Sequence, residues 1–520
     1  MAKFVSARAA ADQIKDDDTI AIAAFAGGTG LAEEVCAAIE QRFLETGRPN
    51  DLTLMVASGN GDNTERPYAN NHFAHPEMVR RVIAGHIGLA KKFANVIAEN
   101  KIAAWNFPQG VVTHLYRAAA GRKPGVLTHV GLGTFADPRV EGGKMNAAAQ
   151  EDLVEVVQIG GEDKLLYKTI PITVGIIRGT TADEAGNLSM EKEAVLTEAL
   201  HVAQAAKNSG GIVIAQVERV AKRGTLSPKD VRIPGIMVDY VVVAESGKQT
   251  MNVSVDYDPS YSGELKVPTD EIQPQKMSLR KIIAKRCAME LEPGQIINLG
   301  IGVPDGIASV ALEEGISDKV YMTIESGVIG GVPGPGLNIG AASNAEAMIP
   351  HPDIFDFYDG GGLDLAFLGL AQTDEAGNIN VSKFNGRMVG CGGFVNITQN
   401  AKRVVFCGTF TAGRGKIEIT EQGLNIIEDA PGIKFVKAVE QITFSGSYAK
   451  QIKQPVLYVT ERAVFSLTEQ GLELIEIAPG IDLKRDILDK MEFEPIISKQ
   501  LKQMDTRIFC DDIMNLREKF

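Results

Sequence analysis

The sequence predicts an α/β protein made of two homologous open α/β domains, each on a largely parallel sheet, with a small β-rich element near the C-terminus. Three observations carry that expectation. The pentapeptide Asp-Glu-Ala-Gly-Asn occurs twice, at 183–187 and 374–378. Other segments match around it in the same order. Short apolar runs alternate with helical stretches, the pattern of a parallel sheet with crossover helices.

The elements follow in order along each copy. Thr19–Ile22 leading into Gly27–Gly30 parallels Gln295–Leu299 leading into Gly300–Gly302, and helical stretches follow at Leu31–Phe43 and Ile307–Glu314. Next come Leu52–Gly59 and Val320–Gly327, each ending in Ser-Gly. The apolar runs Thr173–Ile177 and Leu365–Leu370 then lead to the repeated pentapeptide, and alternation after each Gly-Asn marks a hairpin. Between its Ser-Gly and its hairpin the first copy carries about 80 extra residues, holding Asn106–Gly110 and Gly131–Arg139. A smaller repeat, Thr-Glu-Gln-Gly-Leu followed by Ala-Pro-Gly, starts at Thr420 and again at Thr468. It reads as a small antiparallel element closing the C-terminal half. The expected domains are residues 1–255 and 278–520, joined by a linker at 256–277 with proline and polar turn residues.

Composition narrows the function. At 520 residues the chain exceeds one core. A net charge of −13 argues against a nucleic-acid partner or an anionic membrane surface. No apolar run reaches membrane-spanning length and no secretory leader is evident, so a cytoplasmic location is expected. Five scattered cysteines without a Cys-x-x-Cys pair, and His72 and His75 without a second ligand pair, predict neither a disulfide framework nor a metal.

The most telling stretch is Tyr321–Pro333, where a β-branched run ends on Glu325 and enters glycine-rich backbone. Aligning Ser58-Gly59 with Ser326-Gly327 sets Ala57 opposite Glu325. The fold tolerates alanine at that strand end, so the carboxylate is there for chemistry. Two chemistries fit. Leu299–Gly306 approximates a dinucleotide-binding turn with an acid about 20 residues later, although its third glycine is one position late and Pro304 interrupts it. Alternatively, Glu325 attacks an activated acyl group, which requires donors for the tetrahedral oxyanion. Val389–Phe394 offers them, with Gly390, Gly392 and Gly393 unhindered. Cys391 in that loop reads as a packed loop residue; as an alternative nucleophile it has no histidine near it in sequence.

Asn298–Pro304, Glu325–Gly327, Phe357–Gly362 and Gly390–Phe394, together with Pro108–Gly110, Gly131–Thr134 and Asp137–Arg139, resemble a family I coenzyme A transferase, nearest the single-chain propionate and acetate type. The likeness spans almost the whole chain. Phe25–Gly30 departs from the family's usual glycine signature, which puts acyl or acceptor preference in doubt. The resemblance implies that Glu325 forms an acyl-glutamyl anhydride and then a glutamyl-CoA thioester in ping-pong fashion. It also implies that Gln109 lies near the acyl group and that the Gly392 N–H is an oxyanion donor. Gly302, Gly390, Gly393, Lys383 and Arg387 are the expected contacts to CoA and substrate, with Arg414 a further candidate for its phosphates. CoA is expected as substrate and covalent intermediate, with no tightly bound cofactor. The expected partners are acyl-CoA and short-chain carboxylates, within a homodimer or homotetramer. An acyl-CoA hydrolase and a nucleotide-dependent oxidoreductase are the alternatives.

Overall fold

A computed structural model describes residues 2–268 and 275–520. Residues 269–274 of the expected linker lie outside the described residues. By packing, the chain forms two compact units. The first comprises Met1–Lys266, Glu325–Asp356 and Phe384–Asn396; the second comprises Val267–Ile324, Phe357–Lys383 and Ile397–Phe520. Two segments from the C-terminal half, one opening with Glu325, therefore belong to the first unit.

The main sheet of the first unit contains β1 (Lys3–Val5), β2 (Thr19–Ile22), β3 (Leu52–Val56), β4 (Val79–Ala84), β5 (Ala103–Asn106), β6 (Val174–Arg178), β7 (Ile212–Val217) and β8 (Tyr240–Val243). Every neighbouring pair is parallel, in the order β1-β8-β7-β6-β2-β3-β4-β5. β2, β3 and β6 are buried at every residue, which explains why they are mostly apolar and do not alternate: strands covered on both faces have no solvent side, and the polar exceptions Thr19, Thr53 and Arg178 are themselves buried. The insertion supplies β4 and β5, which lengthen the sheet beyond β3. It also supplies a three-stranded antiparallel sheet of Gly125–Thr128, Val154–Ile159 and Glu162–Lys168. The helices that matter below are α1 (Glu33–Thr46), α2 (Gln109–Ala120) and α3 (Ala199–Asn208). The strand order reverses between β2 and β6, the kind of switch point outside which ligands bind in open α/β sheets.

The second unit repeats this plan. β9 (Ile296–Leu299), β10 (Tyr321–Thr323), β11 (Leu365–Gly369), β12 (Val404–Cys407) and β13 (Val456–Val459) are parallel in the order β10-β9-β11-β12-β13. Copy for copy this is β3-β2-β6-β7-β8, so the sequence repeat is a repeat of topology. After β13 the sheet turns antiparallel through Ala463–Thr468 and Gly471–Ile477. Those two strands form the hairpin of the second Thr-Glu-Gln-Gly-Leu copy; the first copy forms the Lys416–Thr420/Gly423–Glu428 hairpin. The twin pentapeptides form turns with the same hydrogen bonds. Asn187 Nδ2 donates to Asp183 Oδ2 at 3.0 Å, and Asn378 Nδ2 donates to Asp374 Oδ2 at 3.0 Å. Gly186 and Gly377 take positive φ, +87° and +83°. Among the described residues, no helix is long and apolar enough to cross a membrane.

Candidate active site

Glu325 sits half-buried at the start of a tight turn, Glu325–Gly327. Ser326 Oγ anchors that turn by donating to the Gly340 carbonyl at 2.6 Å. Gly327 holds φ +102°, and a Cβ there would lie 2.0 Å from the Ile349 carbonyl oxygen, so only glycine fits. Val328 and Ile329 then pair antiparallel with Met348 and Ala347. The nucleophile candidate is thus tied to the strand that leads directly into His351.

Gln109 opens α2, directly after Pro108, which stands at the N-cap with φ −50° and ψ 134°. Its side chain is almost fully buried. Its N–H donates to the Gly392 carbonyl at 2.9 Å, and its Nε2 lies 2.9 Å from His351 Nε2. The next residue, Gly110, donates to Asn396 Oδ1 at 3.0 Å; a Cβ on it would strike that amide and the Phe355 ring. Residues from two further stretches of sequence, 351–355 and 392–396, therefore converge on the first turn of one helix.

The Gly390–Gly393 loop is held by Asn106, Gly85 and Gln109, and Asn106 is wholly buried. Its Nδ2 donates to the Ala84 and Gly85 carbonyls at 2.8 and 2.7 Å, and its Oδ1 accepts from the Cys391 N–H at 3.0 Å. Gly390 takes φ +93°, and a Cβ there would come within 2.7 Å of His86 Cα. Gly392, at φ +56°, donates its N–H to the Gly85 carbonyl at 2.8 Å. That N–H, the expected oxyanion donor, is engaged by the Gly85 carbonyl; the adjacent Gly393 N–H meets no protein acceptor among the described residues. Burial pushes the Cys391 thiol far above its ordinary range, and its sulfur faces three carbonyls. A thiol that stays protonated is a poor nucleophile. Burial also lowers the His86 imidazole to about 4, so it stands neutral beneath the loop.

The charged candidates are more peripheral. Arg387 is exposed on a hairpin whose turn residues Asn385 and Gly386 both have positive φ, a type I′ turn. Lys383 and Gly302 lie in the second unit. Lys383 is half-buried, its backbone tied to the Asn380 side chain, and Gly302 is exposed at φ +97°. Gly302 belongs to the turn between β9 and the helix Asp305–Glu313, as the nucleotide reading requires. At that helix start, however, burial raises the Asp305 carboxyl to about 6, and a backbone hydrogen bond from Gly302 works against the rise. A carboxyl already takes the donor that a pyrophosphate would need, which argues against a dinucleotide there.

Sequence reasoning missed three residues: Asn106 as the clamp of the glycine loop, and the pair His351 and Glu198. Asn106 lay within a highlighted stretch, and its polarity at the end of an apolar strand was a usable signal. His351 and Glu198 are 153 residues apart and carried none.

Residues 5–244 match the model of the family described as coenzyme A transferase. The chain is 48% identical over 517 residues to the caffeate CoA-transferase of Acetobacterium woodii, covering 98% of each chain. It is 41% identical over 517 residues to the acetate CoA-transferase YdiF of Escherichia coli strain K12, covering 98% of this chain and 96% of that one. The fold matches the crystal structure of the acyl-CoA transferase YdiF from Escherichia coli O157:H7 in a thioester complex with CoA. The TM-score is 0.93 at 40% identity, over 99% of this chain and 97% of that one.

Proposed function

The chain belongs to the coenzyme A transferase family, and on that premise we propose that it moves CoA from a short-chain acyl-CoA to a carboxylate through a thioester on Glu325. A Glu325 oxygen attacks the thioester carbonyl; the carbon–sulfur bond breaks, leaving an acyl-glutamyl anhydride and CoA thiolate. The thiolate attacks the glutamyl carbonyl and expels the first carboxylate, which leaves glutamyl-CoA. A second carboxylate reverses both steps. The exchange is thermally near balance, so the barrier is the oxyanion formed at each attack, where one preorganised donor is worth about 3–4 kcal/mol.

The observation that carries this reading is that Glu325, Gln109 and the Gly390–Gly393 loop belong to one compact unit. The engaged Gly392 N–H favours its neighbour Gly393 as the oxyanion donor, with Gln109 contacting the acyl group and Gly390 letting the loop approach. Lys383, Arg387 and Arg414 are proposed for the CoA phosphates, and Gly302 for close approach of the ligand. Acetyl and propionyl are the proposed acyl groups. The name of the Acetobacterium relative makes an aromatic acid the competitor to test beside them. A cytoplasmic homo-oligomer is proposed as the working form.

The test is intact mass after mixing with acetyl-CoA and no acceptor. A gain of one CoA less one water, erased by acetate and mapped to Glu325 by borohydride reduction, is the expected result. Unchanged mass with steady loss of acetyl-CoA would mean a hydrolase and overturn the transfer reading.

A further inference from the structure

Behind Gln109 lies a buried side-chain relay that the reaction as described does not use. His351 and Glu198 are both fully buried, with His351 Nδ1 3.0 Å from Glu198 Oε2 and His351 Nε2 2.9 Å from Gln109 Nε2. With a carboxylate on Nδ1, that nitrogen carries the proton and donates it, so Nε2 presents a lone pair. The lone pair accepts from the Gln109 amide N–H. The amide carbonyl oxygen is then turned the other way, toward Gly392, where it lies 3.6 Å from the position a Cβ would occupy.

The ring is held from every side. Phe25 packs edge-on at 5.3 Å between centroids and Phe355 at a tilt at 5.3 Å. The His351 backbone N–H donates to the Thr197 carbonyl at 3.0 Å. Thr197, the residue before Glu198, has φ +50°, an uncommon conformation for a β-branched side chain and one that persists where surroundings force it. Glu198 Oε1 is buried without a hydrogen-bond partner. Local strain at Thr197 and an orphaned carboxylate oxygen on Glu198 are costs that packing alone does not require, and they fall on adjacent residues that both bond to His351.

We propose that His351, oriented by Glu198, is a positioning residue that fixes the Gln109 amide with its carbonyl oxygen toward the Gly390–Gly393 loop. Without the relay, both amide orientations and several rotamers become accessible, and the acyl group is met by the wrong end of the side chain in a share of encounters. The inference rests on the reading that Gln109 acts on the acyl group.

The test is a double-mutant cycle assayed as CoA transfer from acetyl-CoA to propionate, with thermal unfolding checked for each variant. His351→Phe, which keeps a ring in the aromatic box, is expected to lower kcat about 10- to 100-fold with each KM within about twofold. His351→Gln, which retains an acceptor, is expected to recover most of that loss. In the Gln109→Ala background His351→Phe should have almost no further effect. Should His351→Phe fail to fold, Glu198→Gln serves in the same cycle, with a loss of a few-fold that also vanishes on Gln109→Ala. Wild-type kcat in a folded His351→Phe variant, or an undiminished effect in the Gln109→Ala background, would overturn the proposal while leaving the Gln109 reading intact. Full activity of Gln109→Ala alone would instead remove that reading and the proposal with it.

Discussion

At the scale of single residues, the duplication is an experiment already performed on the fold. Ala57 stands where Glu325 would be in the other copy, and it is fully buried at the end of β3. Removing the carboxylate should therefore cost little stability. Glu325→Ala is expected to leave the thermal midpoint nearly unchanged, abolish transfer and form no CoA adduct. Glu325→Asp should fold equally well but lose about 100-fold or more, because one methylene withdraws the nucleophile by roughly 1 Å. Measuring kcat beside adduct mass separates these outcomes, and a wild-type rate for Glu325→Asp would remove Glu325 from the nucleophile's role. Cys391 gives the opposite expectation. Its thiol is buried and held protonated, so Cys391→Ala should retain transfer within a few-fold and resist iodoacetamide before substitution. Glu325 was legible in sequence because a nearby copy lacks it. His351 and Glu198 were not, since only tertiary packing joins residues 153 apart.

At the scale of elements, local chemistry was readable wherever the chain folds back on itself at short range. The Asp183 and Asp374 turns and the Thr420 and Thr468 hairpins all form where Gly-Asn and Gln-Gly steps mark them. The Gly390–Gly393 loop was readable as glycine-rich, but not which glycine does what, because that depends on the neighbours Gly85, His86 and Asn106. Those neighbours now rank the positions. A Cβ on Gly390 meets the backbone of His86 at 2.7 Å and the Gly85 carbonyl at 3.0 Å, and neither atom can swing aside. A Cβ on Gly392 meets only the Gln109 Oε1 at 3.6 Å, so its cost is the left-handed backbone, roughly 1–2 kcal/mol. Gly390→Ala should therefore displace the loop and abolish most activity, whereas Gly392→Ala should fold and keep a larger share. Equal kcat for the two variants would show that this packing does not order the loop.

At the scale of the whole molecule, the acidic balance conceals a locally neutralised interior, and one cluster links folding to pH. His72 and His75, three residues apart and unassigned by their spacing, clasp carboxylates of α1. His72 Nδ1 lies 2.6 Å from Glu40 Oε2 and its Nε2 2.8 Å from Glu33 Oε1, while His75 Nε2 is 2.7 Å from Glu40 Oε1. Burial alone would lower the His72 imidazole, but its bonds to Glu33 and Glu40 prevail and raise it from 6.5 to about 9. Burial likewise works to raise Glu40, and the bonds from His72 and His75 prevail, lowering it from 4.5 to about 2. A group whose folded pKa is raised stabilises fully below its unfolded value and loses that contribution as pH climbs through the folded value. The His72 contribution is therefore complete below 6.5 and fades between 6.5 and about 9, while that of Glu40 is complete above 4.5 and fades as pH falls toward 2. The cluster thus stabilises most between those two unfolded values, and it ties α1 to the 69–75 segment between β3 and β4. His72→Gln should lower the urea midpoint clearly at pH 6 and progressively less toward pH 9, because the wild type itself surrenders the charge over that interval. A deficit that stayed constant from pH 6 to 9 would mean that His72 contributes by packing alone, since packing has no proton to lose.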